Sequence, residues 1–338
     1  MTNSDQDDDP APAELAAEAG SEERERRWSR IRKLAGIGYV VLLVAVIATI
    51  GIPTDRGSLL LIILFGLAIP CLGRGWRSFR QVLYDWLPFT AVLVAYDYSR
   101  GIADALGMPL HVSDVAAIDH AVFGVNPTNW LQDRFLTPGS PHWYDAVATI
   151  VYTSHFLATP ITAAILWVRN RAIWVRFVRR VIALALAGLV TYVLYPAAPP
   201  WYAAQEGVIG PVIRASGRGW FWLHINHAGN LLQEGQVASN PVAAMPSLHT
   251  AYSSIITLFL LASIKGQWRW LLVGYPILMG ISLVYMGEHY VIDVVAGVVY
   301  AFVLHNLCNA WERRHPPEEK SARPWSQAPV SAEARPAH

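Results

Sequence analysis

Two short stretches put imidazole and carboxylate side chains where they can act together: Ala244-Met245-Pro246-Ser247-Leu248-His249 and Glu288-His289-Tyr290-Val291-Ile292-Asp293. His289 and Asp293 have the four-residue spacing that places two side chains on one face of a helix, within hydrogen-bonding reach. A carboxylate so placed holds one ring nitrogen protonated and leaves the other free to attack, the orienting logic of a catalytic triad. Pro246 and Ser247 are expected to open a helix, whose free backbone N–H groups and positive dipole end suit a phosphate. Two histidines, a carboxylate and an anion-binding helix start point to phosphoryl transfer.

The elements that must carry these groups read as membrane spans. The chain has 338 residues, 54% hydrophobic and only 15% charged, which is unusual for a soluble globular protein. A net charge of +1 gives no electrostatic footprint for nucleic acid. Two cysteines, Cys71 and Cys308, exclude a disulfide scaffold or a cysteine-rich metal site. Eight apolar runs, near 35–53, 58–72, 82–100, 144–168, 178–196, 247–264, 270–286 and 290–310, approach the ~20 residues needed to cross the hydrocarbon. The expected fold is an all-α integral membrane protein, a bundle of about eight transmembrane helices over 31–310 with its catalytic core at about 144–310. Residues 1–30 and 311–338 lack apolar surface to bury and are expected to be disordered tails; the acidic start is not a signal peptide.

Charge sets the expected orientation. The connections at 24–33, 74–80, 169–180 and 265–269, with the tail from Arg313, hold 21 Lys and Arg; the others hold five, Arg56, Arg100, Arg134, Arg214 and Arg218. The positive-inside rule therefore puts both termini in the cytoplasm and both motifs at the outer face of the cell membrane. Two outer connections, 101–143 and 197–246, are too long to lack structure. In the first, Val115, Ile118, Val122 and Phe123 at helical spacing, and then Asn129-Trp130-Leu131, predict interfacial helices on the outer leaflet. In the second, Trp201, Tyr202, Trp220, Phe221 and Trp222 near Arg214 and Arg218 are expected to roof the site.

Pro-Ser-Leu-His followed by His-x-x-x-Asp, in that order and at one face, resembles the type-2 phosphatidic acid phosphatase superfamily of membrane enzymes. Leu248, the His289-Tyr290 pair and Tyr195-Pro196-Ala197-Ala198-Pro199-Pro200-Trp201 look like its inositol phosphorylceramide synthase-like branch, over roughly residues 90 to 305. The resemblance implies two-step phosphoryl transfer on a lipid or polyprenyl phosphate ester, with no metal or other cofactor. In that scheme His289 attacks phosphorus, Asp293 orients and charges its ring, and His249 protonates the leaving alcohol. Ser247 and the helix-start N–H groups hold the phosphate. Water resolves the phosphohistidine in a phosphatase; an alcohol acceptor such as inositol or a lipid hydroxyl resolves it in a transferase. The broader superfamily has an arginine where this chain has Leu283, after Ser282, and its upstream Lys and Arg-Pro motif gives way to Tyr195–Trp201. Those cations would clamp the phosphate, and Arg100 and Arg214 are the expected substrate-binding replacements.

Other readings stay open at this stage. His224 and His227 could add nitrogen ligands to a metal, but Asp293 reads better as the partner of His289 than as a ligand. Asp97 with Arg100 is either functional or settles a helix end. Thr153-Ser154-His155 reads as interhelical hydrogen bonding within the fourth span, and His305 as structural. A non-enzymatic transporter or scaffold would use the same bundle, although inverted repeats and paired broken helices are not evident in the sequence.

Overall fold

A computed structural model describes residues 12–50, 56–103, 108–225 and 243–316, with side chains over 20–46, 49, 61–95, 108–225 and 243–316. Among them the chain is all-helical. In order come α1 (Pro12–Ile50), α2 (Arg56–Ala68), α3 (Trp76–Ala103), α4 (Ser113–Phe123), α5 (Pro127–Phe135), α6 (Trp143–Arg169) and α7 (Arg171–Leu194). There follow α8 (Pro200–Gln205), α9 (Arg218–Trp222), α10 (Leu248–Ser263), a 3-10 stretch (Gln267–Val273), α11 (Gly274–Tyr285) and α12 (Val291–Arg314). Among the described residues, four segments are long and apolar enough to cross a membrane: Trp143–Arg169, Arg171–Leu194, Gln267–Tyr285 and Val291–Arg314.

Helices α1, α2, α3 and α10 cover most of the other four expected spans. α10 is short for a span but is buried on most of its circumference, from Leu248 to Phe259. It packs against α6, α7, α11 and α12, so the bundle is built around it. Hydrophobic transfer supplies little drive between helices in lipid, and close packing of small residues takes its place. Ala185, Gly188, Ala251 and Gly297 serve that role here, Gly188 against the Leu248 side chain and Gly297 against the Ser247 backbone. Trp86, Trp167, Trp174 and Phe177 fill the other half of the core, where α3 meets α7. Asp85 secures that half: Arg171 donates to it through Nε (2.7 Å) and Nη2 (2.6 Å), and Trp167 through Nε1 (2.8 Å).

Two boundaries differ from expectation. Helix α1 starts at Pro12, so 12–30 is helix rather than disordered tail; its Ala, Glu and Arg content is rich in strong helix formers. Residues 1–11 and 317–338 lie outside the described set. The basic stretch 169–180 is not a connection, because Asn170 alone separates α6 from α7. The Asn170 side chain caps α7 by accepting the N–H groups of Ala172 (2.9 Å) and Ile173 (3.2 Å), and the arginines beyond it are helical.

The two long connections do carry helices, α4 and α5 in the first, α8 and α9 in the second. Val115 departs from the expected exposed stripe: it turns inward, while Ile118, Val122 and Phe123 remain exposed.

Candidate active site

The starts of α10 and α12 meet at one end of the bundle. Ser247 is the N-cap of α10, its Oγ accepting the Thr250 N–H at 3.4 Å. The backbone N–H of Ser247 donates to the carbonyl oxygen of Asp293 at 3.0 Å, so the two motifs are joined directly through the main chain. Gly297, one turn further along α12, makes this approach possible: a Cβ there would stand 2.4 Å from the Ser247 carbonyl oxygen.

His249 lies in the first turn of α10, and its ring centre is 5.6 Å from that of His289. His289 does not share a helical face with Asp293 as the spacing suggested. Tyr290 is the N-cap, so α12 begins after His289, which sits in the turn following Gly287, a residue at φ 77°. His289 Nδ1 nevertheless lies 3.6 Å from Asp293 Oδ2, the pair being buried. Asp293 Oδ2 accepts the Tyr290 N–H at 2.9 Å, while His289 Nδ1 and Asp293 Oδ1 have no hydrogen-bond partner among the described residues.

The helix start of α12 is already occupied by a carboxylate. Asp119, from α4, accepts the N–H groups of Val291 (2.8 Å) and Ile292 (3.0 Å). Burial pushes the Asp119 carboxyl above its usual range, those two N–H bonds pull it down, and the charge on Asp293 adds to the rise. The helix start near the histidines without such a carboxylate among the described residues is that of α10, capped by Ser247.

The two long connections hold the His289 turn in place. Trp201 N–H donates to Gly287 O (3.1 Å) and Ala215 N–H to Met286 O (3.1 Å). Gln132 donates to Tyr285 O (2.9 Å) and Ile213 O (2.8 Å). The Tyr195–Trp201 segment forms the spine of this roof: His111 N–H donates to Pro196 O (2.9 Å) and Ala244 N–H to Ala197 O (3.1 Å), and the His111 and Tyr195 rings stack.

Of the expected substrate-binding residues, Arg214 stands beside the site with its guanidinium engaged. It donates to Glu288 through Nε (2.8 Å) and Nη2 (3.1 Å) and lies 4.7 Å over the Trp201 ring. Ser216 Oγ also donates to Glu288, at 2.6 Å. The Arg100 side chain, like Asp97 and His227, lies outside the described residues. Arg218 pairs with buried Asp145 at 3.2 Å.

His155 belongs to the site more closely than its sequence context suggested. Its ring centre is 4.1 Å from that of His249, which Tyr152 stacks against on α6 at 5.0 Å. The i, i+3 spacing of Tyr152 and His155 on an apolar helix was the only signal for this, and Asp119 gave none.

Among the described residues, no group of three or more His, Cys, Asp or Glu side chains is arranged to hold a metal. The arrangement brings together an imidazole beside a buried carboxylate, a second imidazole 5.6 Å from the first, and the N-terminal start of α10.

Comparison with known proteins identifies relatives of the chain. A phosphoinositol dihydroceramide synthase of Bacteroides thetaiotaomicron is 27% identical over 241 residues, which is 66% of this chain and 75% of that protein. The inositol phosphorylceramide synthase catalytic subunits of Schizosaccharomyces pombe and Saccharomyces cerevisiae are 22% and 25% identical over 66% of the chain. The chain spans about half the length of these two yeast relatives, 53% and 56%. No solved structure matches it. The family model described as the PAP2 superfamily matches residues 113–307, from the helix that supplies Asp119 through both histidine motifs, and the chain belongs to that superfamily.

Proposed function

We propose that the chain is a membrane phosphotransferase acting on a lipid phosphate ester through a phosphohistidine at His289. The observation that carries this reading is the 3.0 Å bond from Ser247 N–H to the Asp293 carbonyl, because it fixes α12, which bears Asp293 and directly follows His289, against α10, which bears His249. With His289 Nδ1 turned to Asp293, Nε2 is the nitrogen left to attack. Its lone pair forms the N–P bond as the P–O bond to the leaving group breaks, and the departing oxygen takes a proton from His249. An acceptor hydroxyl then gives its proton to His249 while its oxygen attacks phosphorus and the N–P bond breaks. Asp293 balances the imidazolium charge, and the 3.6 Å separation shortens to a hydrogen bond as that charge develops. Ser247 and the α10 N–H groups take the phosphoryl oxygens.

Transfer is favoured over hydrolysis because the relatives named above are synthases. A phosphodiester donor fits better than a monoester, because Glu288 already balances the charge of Arg214 and a diester carries a single charge. The acceptor is an alcohol, inositol or a lipid hydroxyl. The distribution of Lys and Arg along the sequence supports a site at the outer face with both termini in the cytoplasm.

The test uses purified chain in detergent with a panel of labelled lipid phosphomonoesters and phosphodiesters. Each is supplied with and without inositol or ceramide, and all products are identified. The expected result is a transferred product from diesters and acid-labile phosphate on His289 after quenching. Absence of any product from every donor, or labelling that survives His289→Ala, would overturn the reading.

A further inference from the structure

At the end of the bundle away from the histidines, three arginines of α7 share one carboxylate of α12. Glu312 accepts from Arg176 Nε (2.7 Å), Arg179 Nη1 (2.7 Å), and Arg180 Nη1 and Nη2 (2.8 and 3.0 Å). Arg180 also donates to Asn309 Oδ1 and to the Arg176 carbonyl, both at 2.6 Å, and is fully buried. One carboxylate balances one guanidinium, and Arg180, with two bonds to it, takes that share. Arg176 and Arg179 are left as a surplus of positive charge, 49% and 33% exposed.

The depth of this cluster and its surroundings indicate what balances it. From Val291 beside the site to Glu312, α12 rises about 30 Å at ~1.5 Å per residue, roughly one hydrocarbon thickness. The surplus charge therefore sits at headgroup level of the leaflet opposite the site. Arg179 lies 4.2 Å over the ring of Trp311, a residue type that anchors at that level. Val303, Leu307 and Trp311 follow each other at four-residue spacing on α12, all exposed, and make an apolar strip leading from the arginines towards the bilayer centre.

We propose that Arg176 and Arg179 bind the phosphate of an anionic phospholipid, with its acyl chains along the Val303–Leu307–Trp311 strip. Basic clefts between membrane helices suit such headgroups. This lipid site is separate from the substrate site and does not depend on the catalytic reading.

The test reconstitutes the full chain in nanodiscs of phosphatidylcholine, with or without phosphatidylglycerol. Lipids retained on release into detergent are then counted by native mass spectrometry. The wild type is expected to retain phosphatidylglycerol about tenfold over phosphatidylcholine, and Arg176→Gln with Arg179→Gln to abolish that preference. Arg180 keeps its Glu312 pair in the double variant, and the single variants, each expected to lose about threefold, serve if the double variant does not purify. Arg134→Gln, on α5 at the site's end, should keep the preference. Equal retention of the two lipids by the wild type, or an undiminished preference in the variants, would overturn the proposal. So would inorganic phosphate displacing the lipid, since the strip would then contribute nothing.

Discussion

Gly297→Ala tests whether the contact between α10 and α12 sets the catalytic geometry, without touching any reacting group. The added methyl would stand 2.4 Å from the Ser247 carbonyl oxygen and 3.3 Å from both the Ser247 carbonyl carbon and the Ala251 nitrogen. All three are backbone atoms and cannot swing aside. Restoring ordinary contact requires the helices to part by about 1 Å. That opening stretches the 3.0 Å bond between Ser247 N–H and Asp293 O beyond hydrogen-bonding range. His289 and Asp293 move with α12, whereas Ser247 and His249 move with α10, so the whole displacement falls between nucleophile and acid. A misplacement of ~1 Å costs on the order of 10²-fold in rate. Overpacking costs about 1–3 kcal/mol, within the ~5–15 kcal/mol that folded domains have in hand. The assay compares kcat of purified Gly297→Ala with wild type on the best donor, together with thermal melting. Gly36→Ala on α1, where the methyl meets no atom within 4 Å, is the control. Wild-type kcat in a folded Gly297→Ala protein would refute the argument that this contact aligns the site.

His289→Ala and His249→Ala should each lower turnover by roughly 10³-fold or more while the protein still inserts and purifies, as kinetics beside size-exclusion profiles will show. Asp119→Asn leaves one acceptor oxygen for the two N–H groups of Val291 and Ile292 and should cost about 1 kcal/mol, read as a lower melting temperature; an unchanged melt would remove Asp119 from the account. Turnover should persist in excess EDTA and be inhibited by vanadate, and loss in EDTA with recovery on adding zinc would move the chemistry to a metal. Val208→Cys should react with an impermeant thiol reagent on intact cells and Trp268→Cys only after permeabilisation; both positions are exposed, and the native cysteines are buried.

Much of the site was legible because its chemistry is local in sequence. Ser247 two residues before His249, and His289 four before Asp293, fix which groups can meet once the helix starts are placed. What was not legible depends on contacts between distant segments. Asp119 reaches the α12 start from α4, and nothing around it in sequence marks a carboxylate that will cap a remote helix. Arg214 looked like an available cation because its partner, Glu288, lies far along the chain and was read only as the neighbour of His289. His155 looked like one more polar group in a span until α6 packed against α10. The error at α7 has a similar source: a run of arginines reads as a loop, yet Glu312 and Asn309 on α12 let it continue as helix.

The main-chain bond between Ser247 and Asp293 also carries a consequence for biosynthesis. The chain is made from its N-terminus, so Ser247 and His249 enter the bilayer before His289, which precedes α12, the last helix among the described residues. Until α12 is made, Asp293, which pairs with His289 and carries the carbonyl that receives the Ser247 N–H, is absent. On the proposed mechanism, a chain translated only as far as α10 has His249 without His289 and cannot cleave the lipids of the membrane into which it is being threaded. On that mechanism competence arrives in one step, when α12 docks against the helices already assembled around α10.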